Sequence, residues 1–350
     1  MRKFIQQLCA VQSTGEAKVY PGLNAARGIL VLLVIFTHSL PGGMLLYFNY
    51  FFHMPVFLSV SGYLLKQSVF QKGFRQYLKK LTNRLLIPWF IASLLYLPFS
   101  LHGRSLTQLT ITDLIYPFFH LWYVPAYFIG ALLCYAITRF GIPAKLVLTG
   151  TAAFTVCWYL FYRDNPLPVA EQPLYWFGEK RFYAYLFFFF LGFSLRNGLV
   201  KFMPHPLFLL ACIVTTFFAI VIFVYSHKPD LTTILPYMIF NSSLVLFLLI
   251  YVAPQNWFQN KLILLTNKQS LGIYLYHPMI IFIIYRIIGD PEKKHVSNLQ
   301  GLCVGLITLV TILSLVWFIQ KWGFANRYLL GIIKKKEAPK LKVAYLAAAS

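Results

Sequence analysis

The feature that most limits this chain is a succession of apolar runs close to 20 residues long, separated by short polar stretches. A bilayer core about 30 Å thick takes about 20 apolar residues of helix to cross. Within it every backbone N–H and C=O must find its partner inside the segment, so such runs fold as helices. Ten are predicted, near 24–41, 45–65, 85–101, 117–138, 146–162, 181–195, 206–226, 233–253, 270–288 and 299–319. The expected fold class is all-α, a polytopic helical membrane protein of about ten transmembrane helices. Charged residues make up 11% of the chain, against roughly 25% in soluble domains, so no soluble domain is expected. The expected organisation is an N-terminal tail (1–23), a membrane domain (24–320) and a basic C-terminal tail (321–350).

The net charge of +22 would suit a nucleic-acid partner, but its distribution argues against one. Most Lys and Arg fall on the tails and on alternate loops, led by the cluster Lys66, Lys72, Arg75, Lys79, Lys80 and Arg84. Most acids fall on the opposite loops, including Asp164, Glu171, Glu179, Asp290 and Glu292. The positive-inside rule then places both termini in the cytoplasm. The five cysteines lie mostly within spans with no CxxC, and read as small buried apolar residues, neither a disulfide framework nor a metal site. No cleavable leader is expected, because the first apolar helix carries an arginine and a histidine and lacks a small-residue cleavage site.

Those two residues are Arg27 and His38. Eleven residues at 100° each turn about 1100°, so the two side chains share a helix face, about 16 Å apart along the axis. Facing lipid, each would cost about 2.5 kcal/mol or more, so both should face protein or a wet cavity. Arg27 alone reads equally as an arginine snorkelling to headgroups, and a single membrane histidine as an interhelical hydrogen bonder; the pair on one face points to a site. His53 sits in the second span, joined to the first by the short turn Pro41-Gly42-Gly43, and is either a neighbour of His38 or an interfacial residue. Ser61 lies among small residues that also suit close helix packing. Arg84 and Lys80 mark a lipid-contacting cluster or the mouth of a phosphate-binding pocket. His120 and Trp122 open the fourth span, where aromatic belts already explain the tryptophan. Tyr276 and His277 precede Pro278, a kink or a pocket wall. No P-loop, Rossmann fingerprint, HExxH or GxSxG is present, and no acid lies within a span.

These residues resemble the acyltransferase-3 family of integral membrane acyltransferases. Its hallmark, an arginine followed after ten residues by a histidine, is matched by Arg27 and His38. The resemblance continues through Phe-His-Met-Pro-Val-Phe-Leu-Ser-Val-Ser-Gly-Tyr-Leu-Leu at 52–65, Asn-Arg-Leu-Leu-Ile-Pro-Trp at 83–89, His-Leu-Trp-Tyr-Val-Pro at 120–125 and Gly-Ile-Tyr-Leu-Tyr-His-Pro at 272–278. The Phe-His-Met-Pro form is most similar to the fucose 4-O-acetylase-like branch of bacterial glycan O-acetyltransferases. Two positions depart from the family pattern. Asn24 stands where an acid is frequent, and Leu81 stands where an arginine commonly precedes Arg84.

The resemblance implies a multi-pass protein of the bacterial inner membrane that uses acetyl-coenzyme A as donor, without a metal. Its acceptor would be a sugar hydroxyl of a polysaccharide or lipid-linked saccharide on the outer side. Arg27, Arg84 and Lys80 are then expected to bind the coenzyme A phosphates, and His38 to act as general base. His53, Ser61, His120, Trp122, Tyr276 and His277 are candidates for holding the acceptor or the oxyanion. A glycan or lipid transporter without covalent chemistry is the alternative.

Overall fold

The structure, a computed structural model, describes residues 20–71, 73–100, 120–161, 180–201, 203–225, 231–256 and 259–332. The N-terminal tail to residue 19, the Pro- and acid-rich loop expected at 163–180 (all but its last residue), the start of the expected fourth span and most of the C-terminal tail lie outside them. Described residues form helices joined by turns and short irregular stretches, with no strand among them.

In chain order the α-helices of eight residues or more are α1 (Pro21–Ser39), α2 (Met44–Tyr63), α3 (Phe74–Leu81), α4 (Ile87–Ser100), α5 (Tyr123–Phe140), α6 (Ala144–Phe161), α7 (Lys180–Arg196), α8 (Pro206–Tyr225), α9 (Leu231–Leu246), α10 (Lys261–Lys268), α11 (Ser270–Ile288), α12 (Asn298–Ile319) and α13 (Gly323–Leu330). A π-helical turn, Thr82–Leu86, joins α3 to α4, and another, Phe247–Val252, extends α9. Seven helices are long and apolar enough to cross a membrane by length and composition: α1, α2, α5, α6, α9 with its extension, α11 and α12. The apolar stretches Tyr183–Arg196 and Pro206–Phe218 are shorter. The expected third span is the 14-residue α4, about 21 Å long at 1.5 Å per residue.

α1 is the central element, packed against α2, α10, α11 and α12. Lipid tails are as apolar as leucine, so helices in a bilayer associate through close packing and hydrogen bonds rather than hydrophobic burial. The α2–α7 crossing shows how. A Cβ on Gly62 would collide with the carbonyl of Phe189, and one on Gly192 with the carbonyl of Ser59. The two glycines let the backbones touch from both sides.

Prolines inside the helices leave carbonyls without donors, and side chains from other helices supply them. Pro55 cannot donate to Phe51, whose carbonyl accepts instead from Asn241 Nδ2 at 3.2 Å. That tie links α9 to α2. Pro88 likewise cannot donate to Arg84, and the chain there widens into the π-helical turn. Gly331, at φ +64, packs directly on the Arg84 carbonyl. The expected C-terminal tail thus begins as α13, docked on α4.

Candidate active site

Four cations converge on one cavity of about 530 Å³: Arg27 from α1, Lys80 from α3, Arg84 from the π-helical turn and Lys268 from the end of α10. No Asp or Glu is among its described lining residues. Lys80 and Arg84 are exposed, which puts them at the mouth, and Arg27 is half-buried. Arg27 Nη2 donates to Ser270 Oγ at 3.4 Å, which anchors the guanidinium to the first residue of α11. Uncompensated positive charge in a low-dielectric recess favours a polyanion such as phosphate. The π-helical turn matters here, because it places Arg84 beside α13 at the rim rather than on the regular face of α4.

The deep end of the cavity is lined by Ser61, Tyr123, Tyr127 and Tyr274. Ser61 Oγ and Tyr123 Oη are 2.5 Å apart. The Tyr123 N–H donates to Tyr274 Oη at 3.2 Å, and Tyr274 Oη in turn donates to the His120 carbonyl. The two tyrosine rings meet edge to face at 5.4 Å. Tyr123 and Tyr274 thus tie the basic cavity to the backbone at His120, the first of three histidines.

His38, His120 and His277, drawn from α1, the turn before α5, and α11, form a cluster. Ring centroids are separated by 5.2 Å (His38–His277), 6.1 Å (His38–His120) and 5.7 Å (His120–His277). His120 and His277 are buried and His38 is partly exposed. The local structure of α11 explains how His277 is held. Pro278 leaves the Tyr274 carbonyl without a main-chain donor. His277 Nδ1 lies 3.1 Å from that oxygen and 2.8 Å from the Ile273 carbonyl. Carbonyls only accept, so Nδ1 bears the hydrogen and, in the neutral ring, Nε2 presents a lone pair. One residue further, the Tyr96 hydroxyl from α4 inserts into the helix ladder. It accepts from Met279 N at 3.1 Å and donates to the Leu275 carbonyl at 3.0 Å. Tyr96 also lies edge to face with His120 at 5.0 Å.

His53 is buried on α2, its Nδ1 donating to the Asn49 carbonyl at 2.5 Å, within electrostatic reach of His38. Trp122 stacks on Tyr185 with ring centroids 6.1 Å apart and is not among the cavity-lining residues. Tyr276 turns toward α13, where its hydroxyl donates to the Leu329 carbonyl at 3.1 Å. Of the residues singled out in the sequence, the structure therefore gathers Arg27, Lys80, Arg84 and Ser61 on the cavity, and His38, His120 and His277 beyond it.

Several residues at the site were not singled out, Lys268, Tyr123, Tyr127, Tyr274 and Lys293 among them. Tyr274 was legible in principle, since it lies three residues before His277 and so on the same helix face. Lys293 was not. It lies in the loop after α11, where Gly289 caps the helix at φ +83. Asp290 accepts from the backbone N–H groups of His295 at 2.7 Å and Lys294 at 3.0 Å, contacts that hold its carboxyl below the usual range. This turn sets Lys293 at φ 58 and sends its ammonium to the His38 carbonyl. Burial lowers the Lys293 ammonium to about 8.

Apolar helices around a basic cavity and a histidine cluster define a multi-pass membrane protein with a polar interior site. Comparison with known proteins gives its kinship. The acyltransferase-domain family, acyltransferase-3, matches residues 20–321, and the chain belongs to it. A curated relative, the nodulation protein NolL of Mesorhizobium japonicum, is 27% identical over 172 residues. That match covers 44% of this chain and 45% of the relative, so the chain spans less than half the length of that protein. No solved structure matches the chain.

Proposed function

We propose that the chain is a membrane-embedded O-acyltransferase of the fucose 4-O-acetylase-like branch, working in a bacterial inner membrane. It would take an acetyl group from cytoplasmic acetyl-coenzyme A and place it on a sugar hydroxyl of a cell-surface or lipid-linked glycan at the outer side. The observation that carries this reading is the placement of Arg27 and His38. They sit on one helix about 16 Å apart, one on a cavity lined by four cations, the other among three imidazoles. A donor with a phosphorylated head and a long thin arm bearing a thioester has that shape.

In this reading Arg27, Lys80 and Arg84 neutralise the donor phosphates, with Lys268 as a fourth cation. The arm follows the cavity past Ser61, Tyr123 and Tyr274. His38 removes the proton of the acceptor hydroxyl as its oxygen attacks the thioester carbonyl, the kind of positioned proton transfer worth about 100-fold or more in rate. The C–S bond then breaks, and the proton passes from His38 to the departing thiolate. His120 and His53 remain on the acceptor side of the cluster.

The test is transfer of radiolabelled acetyl from acetyl-coenzyme A into the glycan fraction of membranes from the native host carrying the chain. Wild type should label the glycan, and His38→Ala, present at equal level in the membrane, should not. Labelling by both variants would remove His38 as base. No labelling by either, with thioester turnover equal to membranes lacking the chain, would turn the reading toward a transporter.

A further inference from the structure

His277 has one nitrogen committed and one open. Nδ1 serves two backbone carbonyls of its own helix, one of them stranded by Pro278. Nε2 is buried and has no hydrogen-bond partner among the described residues. A buried acceptor without a partner costs about 1–3 kcal/mol, and a catalytic role is one of the reasons a native structure keeps such a group. The nearest ring is that of His38, at 5.2 Å between centroids; His120 stands farther off at 5.7 Å. Two imidazoles joined edge to edge by an N–H···N bond of about 3 Å have centroids about 5 Å apart. A modest rotation of the His38 ring therefore closes the contact. A catalytic histidine is commonly held by a carboxylate, but none of the described helices carries an Asp or Glu.

We propose that His277 is the positioning residue of the base: its Nε2 accepts a hydrogen bond from one nitrogen of His38 while the other nitrogen takes the acceptor's proton. This rests on the acyltransferase reading above and deepens it. The proton is accounted for at each step. It leaves the acceptor oxygen as that oxygen bonds to the carbonyl carbon. It resides on His38, whose second N–H leans on His277 Nε2, and departs on the thiolate sulfur. His277 gains no net proton. It fixes the tautomer and ring angle of His38 and stabilises the imidazolium that forms there. Pro278 belongs to the device, because the carbonyl it strands helps to lock the hydrogen on Nδ1.

Two substitutions separate the two nitrogens. In His277→Asn the amide N–H sits where Nδ1 was and keeps the backbone contacts, but nothing replaces Nε2. In His277→Gln the amide reaches the Nε2 position and its oxygen accepts there. Each is measured in native-host membranes for coenzyme A binding and for kcat and donor KM of acetyl transfer, beside wild type and His38→Ala. The expected result is unchanged coenzyme A binding and donor KM, kcat of His277→Asn down about 100-fold, and His277→Gln about tenfold above the Asn variant. An Asn variant within about threefold of wild type overturns the proposal, and so do two folded variants with equal kcat. Should His277→Asn not accumulate, His277→Gln decides: kcat above about a tenth of wild type supports the proposal, and kcat as low as that of His38→Ala overturns it. Wild type active and His38→Ala inactive leave the acyltransferase reading standing whatever the His277 variants do, while inactive wild type sinks that reading itself.

Discussion

Lys293 donates its ammonium hydrogen to the backbone carbonyl of His38, so the loop between α11 and α12 caps the end of α1 at the histidine itself. Tyr285 assists, its hydroxyl donating to the Ser39 carbonyl while the Lys293 ammonium lies 5.1 Å from its ring centre. A cation at a helix C-terminus is worth about 0.3–1 kcal/mol. Lys293→Met removes this donor from the His38 carbonyl and should reduce kcat, with donor KM unchanged. An unchanged kcat would make the lysine a cap and nothing more.

The same residue gives a pH dependence. Burial lowers Lys293 from 10.5 to about 8. Between those values the unfolded chain binds a proton that the folded protein has released, so stability rises with pH across the window. The burial penalty is present in full below about 8 and is relieved toward 10.5. The midpoint of wild type should therefore gain on that of Lys293→Met as pH rises through this range. Midpoints that move in parallel would show the ammonium to be solvated.

The cations of the cavity should act on donor affinity. A hydrogen bond to a charged group is worth about 1.5–3 kcal/mol, and 1.4 kcal/mol is tenfold. Arg27→Ala should raise donor KM about tenfold or more with a smaller change in kcat. Arg84→Ala and Lys80→Ala should do less, because both residues are exposed and screened by salt. Wild-type donor KM should rise with ionic strength, and the rise should be shallower in Arg27→Ala. A salt-independent KM would remove phosphate from the cavity.

Close backbone approach makes a different kind of prediction. A Cβ at Gly62 or Gly192 meets a carbonyl of the facing helix, whereas Gly150 on α6 faces open space. Overpacking of this kind costs about 1–3 kcal/mol, and more where the neighbour is backbone. Gly62→Ala and Gly192→Ala should lower the amount of folded protein in the membrane, and Gly150→Ala should leave it unchanged. Equal yields for all three would mean that α2 and α7 separate without cost.

Seven of the ten expected spans were legible because their apolar runs are long, whereas the runs near 85–101, 181–195 and 206–226 correspond to shorter apolar helices. The run expected at 270–288 is α11, Ser270–Ile288, and that expected at 299–319 is α12, Asn298–Ile319, opened by a Ser297–Gln300 capping box. The phase of Arg27 and His38 was legible from 3.6 residues per turn alone. What brings His38, His120 and His277 together was not, since it depends on how α1, α11 and the turn before α5 pack, and no local pattern carries that. Tyr276 drew attention by adjoining His277, yet adjacent residues on a helix point 100° apart. Tyr274, three positions back, shares the histidine's side. Lys293 left no trace because its position depends on a turn at φ 58 and on the loop folding back over α1.

Tyr96 shows how the histidine cluster is tied to the scaffold. Its hydroxyl occupies the broken step of α11, accepting from Met279 N and donating to the Leu275 carbonyl, and its ring lies against His120. Tyr96→Phe keeps the ring and removes both bonds. A donor and an acceptor are then left buried next to Pro278, where water has little access. Each unmet group costs about 1–3 kcal/mol, so the thermal midpoint should fall by several degrees. The helix has one inexpensive remedy, which is to straighten until Met279 N reaches the Leu275 carbonyl directly. That motion would swing His277 on the same turn and lengthen its 5.2 Å spacing from His38. Tyr96→Phe should therefore lower kcat more than its stability loss accounts for, with coenzyme A binding unchanged because the cations sit on other elements. A variant that loses stability but keeps wild-type kcat would show that the geometry of α11 at Pro278 is set without Tyr96, and that the histidine spacing is held from α1 alone.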